Sequence, residues 1–439
     1  MTKWQDYSLT VADDDTSKYP VLSICAAVVL MLLAPFTTAW LAAGAFAICL
    51  YRVIRYDARV FGTDYCILIP ISALMKLGNG TPLAIYLCLI AALWYFFRGT
   101  LKINATTVLL IVLMNYLLMR MPMNINGFVL LFGQMASVSV LLPKQDHHSA
   151  ARAIKAFCIS LLFSCVYAYV FRNVSGLADL TGASHSPMWG TNLHRFCGLQ
   201  SDPNYFTTLL LVGMVLLIKL KDLGEVRSWL FWVATAMIAL FGILTYSKTF
   251  FLMFIFIIGI YVLWQFLNKK LIKGAVFTVI AVVALLLLFS MDHSPVAAVL
   301  NRLTSAQNLS DLTTSRSDVF ALYLGEITDN WLSFLVGKGL AADALYRDPH
   351  NIYLEIFYYV GAVGFILIIA VYISAFQSAS RMNGAWEEQH FLARYSTLAV
   401  CLIIYLVLQG IFMQVFHGEM FLVALSFMLI PRNTERTDA

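Results

Sequence analysis

Apolar runs follow one another along almost the whole chain, and they restrict what it can become. In lipid there is no water to satisfy the backbone, so a spanning segment must close its hydrogen bonds internally, as a helix does. Candidate spans lie near 21–34, 37–51, 64–77, 81–97, 104–119, 126–142 and 153–171 in the first half. The second half adds 204–218, 228–244, 249–267, 274–290, 351–377, 395–416 and 419–431. A perpendicular helix needs about 20 residues, and several of these runs are shorter. The expectation is therefore about 12–14 spans, with segments flanking Pro35, Gly78 or His417 short or re-entrant. Composition agrees, since 61% hydrophobic and 12% charged residues with a mean hydropathy of +0.79 lie far outside the soluble range.

The cations give this string of spans a direction. Arg52, Arg55, Arg59, Arg98, Lys102, Lys144, Arg152, Lys155, Lys219, Lys221, Arg227, Lys269, Lys270, Lys273, Arg381 and Arg394 fall in alternate loops. By the positive-inside rule those loops and both termini are cytoplasmic. The predicted organisation is a cytoplasmic tail at 1–20, one transmembrane domain at 21–431 and a second cytoplasmic tail at 432–439. The opposite face receives outer loops at 172–203 and 291–350 and short turns near Lys76, Arg120 and Lys248. Asp13-Asp14-Asp15 stand where a cleavable leader would be basic, so the first apolar run is expected to remain as an anchor. Cysteines 25, 49, 66, 88, 158, 165 and 401 lie in spans and only Cys197 in an outer loop, which is no disulfide framework. The formal charge of +5 follows from cytoplasmic Lys and Arg and calls for no nucleic acid.

The unusual polar residues gather in the outer loops. Asp202-Pro203-Asn204 opens one span and Asp348-Pro349-His350-Asn351 opens another. Asp followed by Pro reads as an N-cap and a first helical position. Helix N-termini attract anions, and Arg195, Lys248 and Arg316 are three cations placed to share such a ligand. Residues Val319, Phe320, Leu322, Tyr323, Ile327, Trp331, Phe334 and Leu335 recur at helical spacing, predicting a surface helix on the bilayer before Gly337-Lys338-Gly339. Plainer roles compete. Asp-Pro at a helix start is more often only a cap, an outer Arg is usually solvated, and Gly361 and Gly364 are most simply small residues for close helix packing. No His spacing marks a metal site.

His350-Asn351, nine residues, then Gly361-Ala362-Val363-Gly364 resembles the signature of the O-antigen ligase and polymerase superfamily of membrane glycosyltransferases. Arg195 with Gly198 and Asp-Pro-Asn, Thr245-Tyr246-Ser247-Lys248, Ser315-Arg316 and Gly337-Lys-Gly339 are similar in order, over roughly 190–380. Lys248 departs from the pattern, since the family often has Arg there. The resemblance implies an all-α membrane fold of GT-C-like architecture in the bacterial cytoplasmic membrane, with its active site facing the periplasm or cell exterior. The implied donor is an oligosaccharide on undecaprenyl diphosphate. His350 is expected as general base, Arg195 and Arg316 as catalytic cations, and Lys248, Asn351, Asn204 and Asp202 as substrate-binding residues. Protein cations neutralise the leaving diphosphate, so neither metal nor cofactor is expected. Implied partners are membrane lipids, chain-length regulators and flippases. A polymerase, whose acceptor is another lipid-linked repeat, is favoured over a ligase acting on lipid A core or another acceptor. A flippase of lipid-linked oligosaccharide shares the spans and the cationic surface, but predicts ionisable residues at mid-membrane depth and internal repeats.

Overall fold

The structure is a computed structural model that describes residues 20–76, 82–98, 105–121, scattered positions between 125 and 135, 147–177, 185–187, 194–267, 316–342, 345, 349–382 and 397–412. The expected spans 274–290 and 419–431, most of 126–142, Asp348, and nearly all of both tails lie outside the described residues.

The described chain is almost entirely helical. Its helices are α1 (Val21–Leu33), α2 (Trp40–Arg55), α3 (Ala58–Leu68), α4 (Leu83–Phe97), α5 (Ala105–Met119) and α6 (His147–Val170). There follow α7 (Pro203–Asp222), α8 (Ser228–Ile243), α9 (Lys248–Leu267), α10 (Arg316–Thr328), α11 (Trp331–Val336), α12 (Ile352–Met382) and α13 (Thr397–Gln409). A two-stranded antiparallel ribbon, β1 (His185–Pro187) and β2 (His194–Phe196), lies in the first expected outer loop. Among the described residues, four helices are long and apolar enough to cross a membrane, at His148–Val170, Pro203–Asp222, Lys248–Leu267 and Ile352–Ser374, and there are several shorter apolar helices.

Helix α7 is the central element. Every residue from Phe206 to Leu220 is buried, as expected of a helix that is apolar on all sides. It packs against α6, α8, α9 and α13. Its length corrects the sequence expectation: the helix runs on to Asp222, so Lys219 is a buried helical residue and not a loop cation.

A second correction concerns Arg52. It lies in the last turn of α2, 1% exposed, and is clamped by Asp64 of α3 through Nε–Oδ2 and Nη2–Oδ1 contacts of 2.7 Å each. It also donates to the Pro20 carbonyl at 2.7 Å and to the Ser23 hydroxyl, which ties the start of α1 to the end of α2. A charge inside a helical bundle demands such pairing. Asp64 is correspondingly part of α3, whose helix starts at Ala58, earlier than the apolar run suggested.

The helix ends sort into two sets. Lys155, in the third turn of α6, holds Glu225, between α7 and α8, at 2.7 Å, so the first half of α6 lies with the end of α7 and the start of α8. At the other end of α6, Tyr167 donates to the Leu32 carbonyl and Phe171 packs edge-on to Phe36, joining the end of α1. Arg195, Asp202 and Thr245 belong to this second end.

Within the expected 291–350 loop, Arg316–Thr328 and Trp331–Val336 are helical. Its apolar face is divided between two helices. Val319, Tyr323 and Ile327 of α10 are buried against Tyr358 of α12, while Leu322, Trp331, Phe334 and Leu335 are exposed.

Candidate functional site

Strand β2 brings the first cation into place. The Phe196 amide donates to the Leu244 carbonyl at 3.0 Å, laying the strand against the turn between α8 and α9. Arg195, half-buried, then donates from Nε to the Thr245 carbonyl at 2.8 Å and from Nη2 to Asn204 Oδ1 at 3.2 Å. Ser247 Oγ reaches the same Asn204 oxygen at 3.5 Å. One amide oxygen at the start of α7 thus gathers the ribbon and the α8–α9 turn.

Three helix N-termini converge here. Asp202 caps α7, its carboxylate accepting from the Asn204 amide at 2.6 Å. Ser247 accepts from the Phe250 amide at 3.3 Å in the first turn of α9, whose first residue is Lys248. Asn351 caps α12, accepting from the amides of Tyr353 at 3.0 Å and Leu354 at 3.1 Å. The third helix joins the others through a ring contact: His350 lies 6.3 Å, centroid to centroid, from Tyr205 in the first turn of α7. Each N-terminus carries roughly half a positive charge; the Asp202 carboxylate offsets it at α7, which leaves the starts of α9 and α12 with Arg195 as the part of the cluster suited to an anion.

The backbone is strained at this place. Tyr246 (φ 52°) and His350 (φ 48°) are the non-glycine residues in left-handed conformation among the described residues. Both lie in the turns that enter α9 and α12. Such conformations cost on the order of 1–3 kcal/mol and persist where surrounding contacts impose them. His350 is buried, as is Glu355 one turn further along α12.

The structure therefore brings together Arg195, Asp202 and Asn204 with the start of α9, where Lys248 stands, and, through Tyr205, with His350 and the Asn351 cap that follows it. Asp202 serves as a helix cap, the plainer of its expected roles; at the second Asp-Pro the structure corrects the expectation, since Pro349 is not helical and Asn351 is the cap of a helix that begins at Ile352. Arg316 is placed differently. It opens α10, whose buried side packs on Tyr358 and, beside it, Leu354 and Phe357, all in the part of α12 that follows His350. Tyr205, in the first turn of α7, stands in the cluster. Among the described residues no group of three or more His, Cys, Asp or Glu side chains is arranged to hold a metal ion.

Sequence reasoning missed several participants. Gln409, buried at the end of α13, donates to the Thr208 carbonyl of α7 at 3.4 Å, and Tyr353 donates to the Val407 carbonyl at 2.7 Å. These contacts bring α13 beside the starts of α7 and α12. The available signal was a lone Gln-Gly pair closing an otherwise apolar run.

Gly361 was expected to be a packing residue, and it does more. It takes φ 63° and ψ −172°, which breaks α12 into two helical parts. The second part runs antiparallel beside α5, with Tyr116 against Gly364 and Thr106 bonded to Ser374 at 2.9 Å. The first part, 352–360, instead leads towards α7 and α13, where Tyr205 and Val407 meet it.

No protein family, no curated protein and no solved structure matches this chain.

Proposed function

We propose that this protein is a membrane glycosyltransferase that extends lipid-linked oligosaccharides at the outer face of the bacterial cytoplasmic membrane. The donor is a glycan joined through its reducing-end sugar to a polyprenyl diphosphate. The acceptor hydroxyl oxygen attacks the anomeric carbon, the bond from that carbon to the phosphate oxygen breaks, and polyprenyl diphosphate departs with the electron pair. His350 takes the proton from the hydroxyl, a step worth about 10²–10⁴ in rate.

The observation that carries this reading is the meeting of Arg195 with the starts of α7 and α9, beside His350 at the start of α12. Positive potential is aimed at one place where a diphosphate gains charge as it leaves. By analogy with oxyanion donors, each such group is worth about 10²–10³ in rate. Arg316 opens a helix docked on α12 and enters this reading on the sequence resemblance, as a further cation for the same leaving group. The cationic helix ends carrying Lys155, Lys221 and Arg227 lie opposite, and by charge bias this favours the His350 end as the outer one. The activated sugar arrives on its own diphosphate, so the reaction calls for neither metal nor nucleotide.

The test is direct. Purified protein given only undecaprenyl-diphosphate repeat units should make a ladder of longer lipid-linked products, with one undecaprenyl diphosphate released per linkage. Transfer that starts only when a lipid A core or another separate acceptor is added identifies a ligase. No transfer to any acceptor, with movement of the lipid-linked sugar across vesicles instead, identifies a flippase and overturns the reading.

A further inference from the structure

We propose that Tyr116 and Arg120, at the end of α5, are positioning residues that set where His350 lies by holding α12 bent at Gly361; the catalytic part of this inference rests on the function proposed above. Breaking a helix exposes backbone carbonyls that its own next turn would have bonded. Here they are taken up from outside. The Tyr358 carbonyl accepts from the Lys338 amide at 2.8 Å, that of Tyr359 from the Gly339 amide at 2.9 Å, and that of Val360 from the Tyr116 hydroxyl at 2.7 Å. Arg120 closes the other side: Nη2 donates to the Gly337 carbonyl at 2.5 Å, and its own carbonyl accepts from the Leu340 amide at 2.8 Å.

The two backbones are in direct contact at the bend. A Cβ on Gly361 would lie 2.4 Å from the Gly337 nitrogen, and one on Gly337 would lie 2.6 Å from the Gly361 nitrogen. Gly337 also has positive φ, at 71°. The angle of α12 is thus fixed by one backbone seated in another, and the α5 side chains hold them there. Lys338 pairs with Glu326 at 3.1 Å, which ties α10 to the same clasp.

The lever makes this matter for the site. Residues 352–360 form a helix about 13 Å long, so a change of about 10° at the bend moves its start by about 2 Å. A displacement of about 1 Å in a reacting group can cost about 10²-fold in rate. Tyr116 and Arg120 touch no residue of the anion cluster in the contacts described above; they act through α12.

Spin labels at Ser201 and Leu324, both exposed, report how the α10–α12 unit sits relative to the start of α7. The full-length protein would carry them in a background with its native cysteines replaced. Arg120→Gln and the milder Tyr116→Phe should each shift or broaden the 201–324 distance. In transfer assays they should lower kcat by about 10- to 100-fold with donor KM changed less than about threefold, and Arg120→Lys should recover part of the loss. An unchanged distance in both variants overturns the inference whatever the activity. A shifted distance with undiminished kcat keeps the clasp as geometry and removes His350 from catalysis, which overturns the positioning role.

Discussion

The His350 ring lies 6.3 Å from that of Tyr205, so a residue entering α12 touches the first turn of α7 although far from it in sequence. The contact sets an imidazole beside the cluster in which Asn204 holds Arg195. Replacing the ring should therefore stop chemistry without emptying the anion site. His350→Ala should reduce turnover by about 10²–10⁴ while retaining donor binding. Single-turnover assays beside a binding measurement check this; retention of more than about a tenth of the rate removes His350 as the base.

The left-handed backbone at His350 allows a separate measurement. Glycine adopts positive φ without the penalty other residues pay. His350→Gly should thus unfold at a higher temperature than His350→Ala, although neither should support turnover. Equal melting temperatures would mean that position 350 is not held left-handed.

Asn204 joins two elements through one oxygen, accepting from Arg195 and Ser247. Asn204→Ala withdraws that acceptor from a guanidinium, an interaction worth about 1.5–3 kcal/mol when charged groups are involved. Half-exposure places the expected loss near the lower figure, or about tenfold in affinity. Donor KM should rise by that factor, and unchanged KM would show that Arg195 does not need Asn204 to meet the diphosphate.

The pair of Arg52 and Asp64 is structural by the same logic of burial. Removing either partner alone, as Arg52→Ala or Asp64→Ala, strands a buried charge and should cost about 3–5 kcal/mol. The double change Arg52→Met with Asp64→Leu should be much milder, since it removes both charges together. Thermal unfolding in detergent distinguishes the two cases, and a double variant no better than the singles would contradict the argument.

What the sequence made legible follows from what periodicity and short spacing can encode. Apolar length revealed α6, α7, α9 and α12 as membrane-spanning candidates. The cap at Asp202 was legible because a cap and its amides are neighbours in the chain, whereas the second Asp-Pro points to too early a start: α12 begins at Ile352 with Asn351 as its cap, and the left-handed turn at His350 separates it from Pro349. The Arg52–Asp64 pair was not, because both residues could be read as helix-end charges and only folding sets them face to face. The break at Gly361 was hidden for a related reason: a glycine in an apolar run has the same local signature whether it packs or bends. Its bend is imposed by Gly337 and Tyr116, distant in sequence.

Sidedness provides the last test. Ser201 precedes α7 at the site end, and Ser228 begins α8 at the cationic end; both are exposed. Charge bias assigns Ser201 to the outer face and Ser228 to the cytoplasm. With Cys25 and Cys401 replaced by Ser, Ser201→Cys should react with an impermeant thiol reagent on intact cells, while Ser228→Cys should react only after permeabilisation. Cys197 is buried and needs no replacement for the first comparison. Labelling of Ser228→Cys alone on intact cells would turn the His350 site towards the cytoplasm, where lipid-linked repeats are assembled, not polymerised, and the proposed reaction would lose its substrate side.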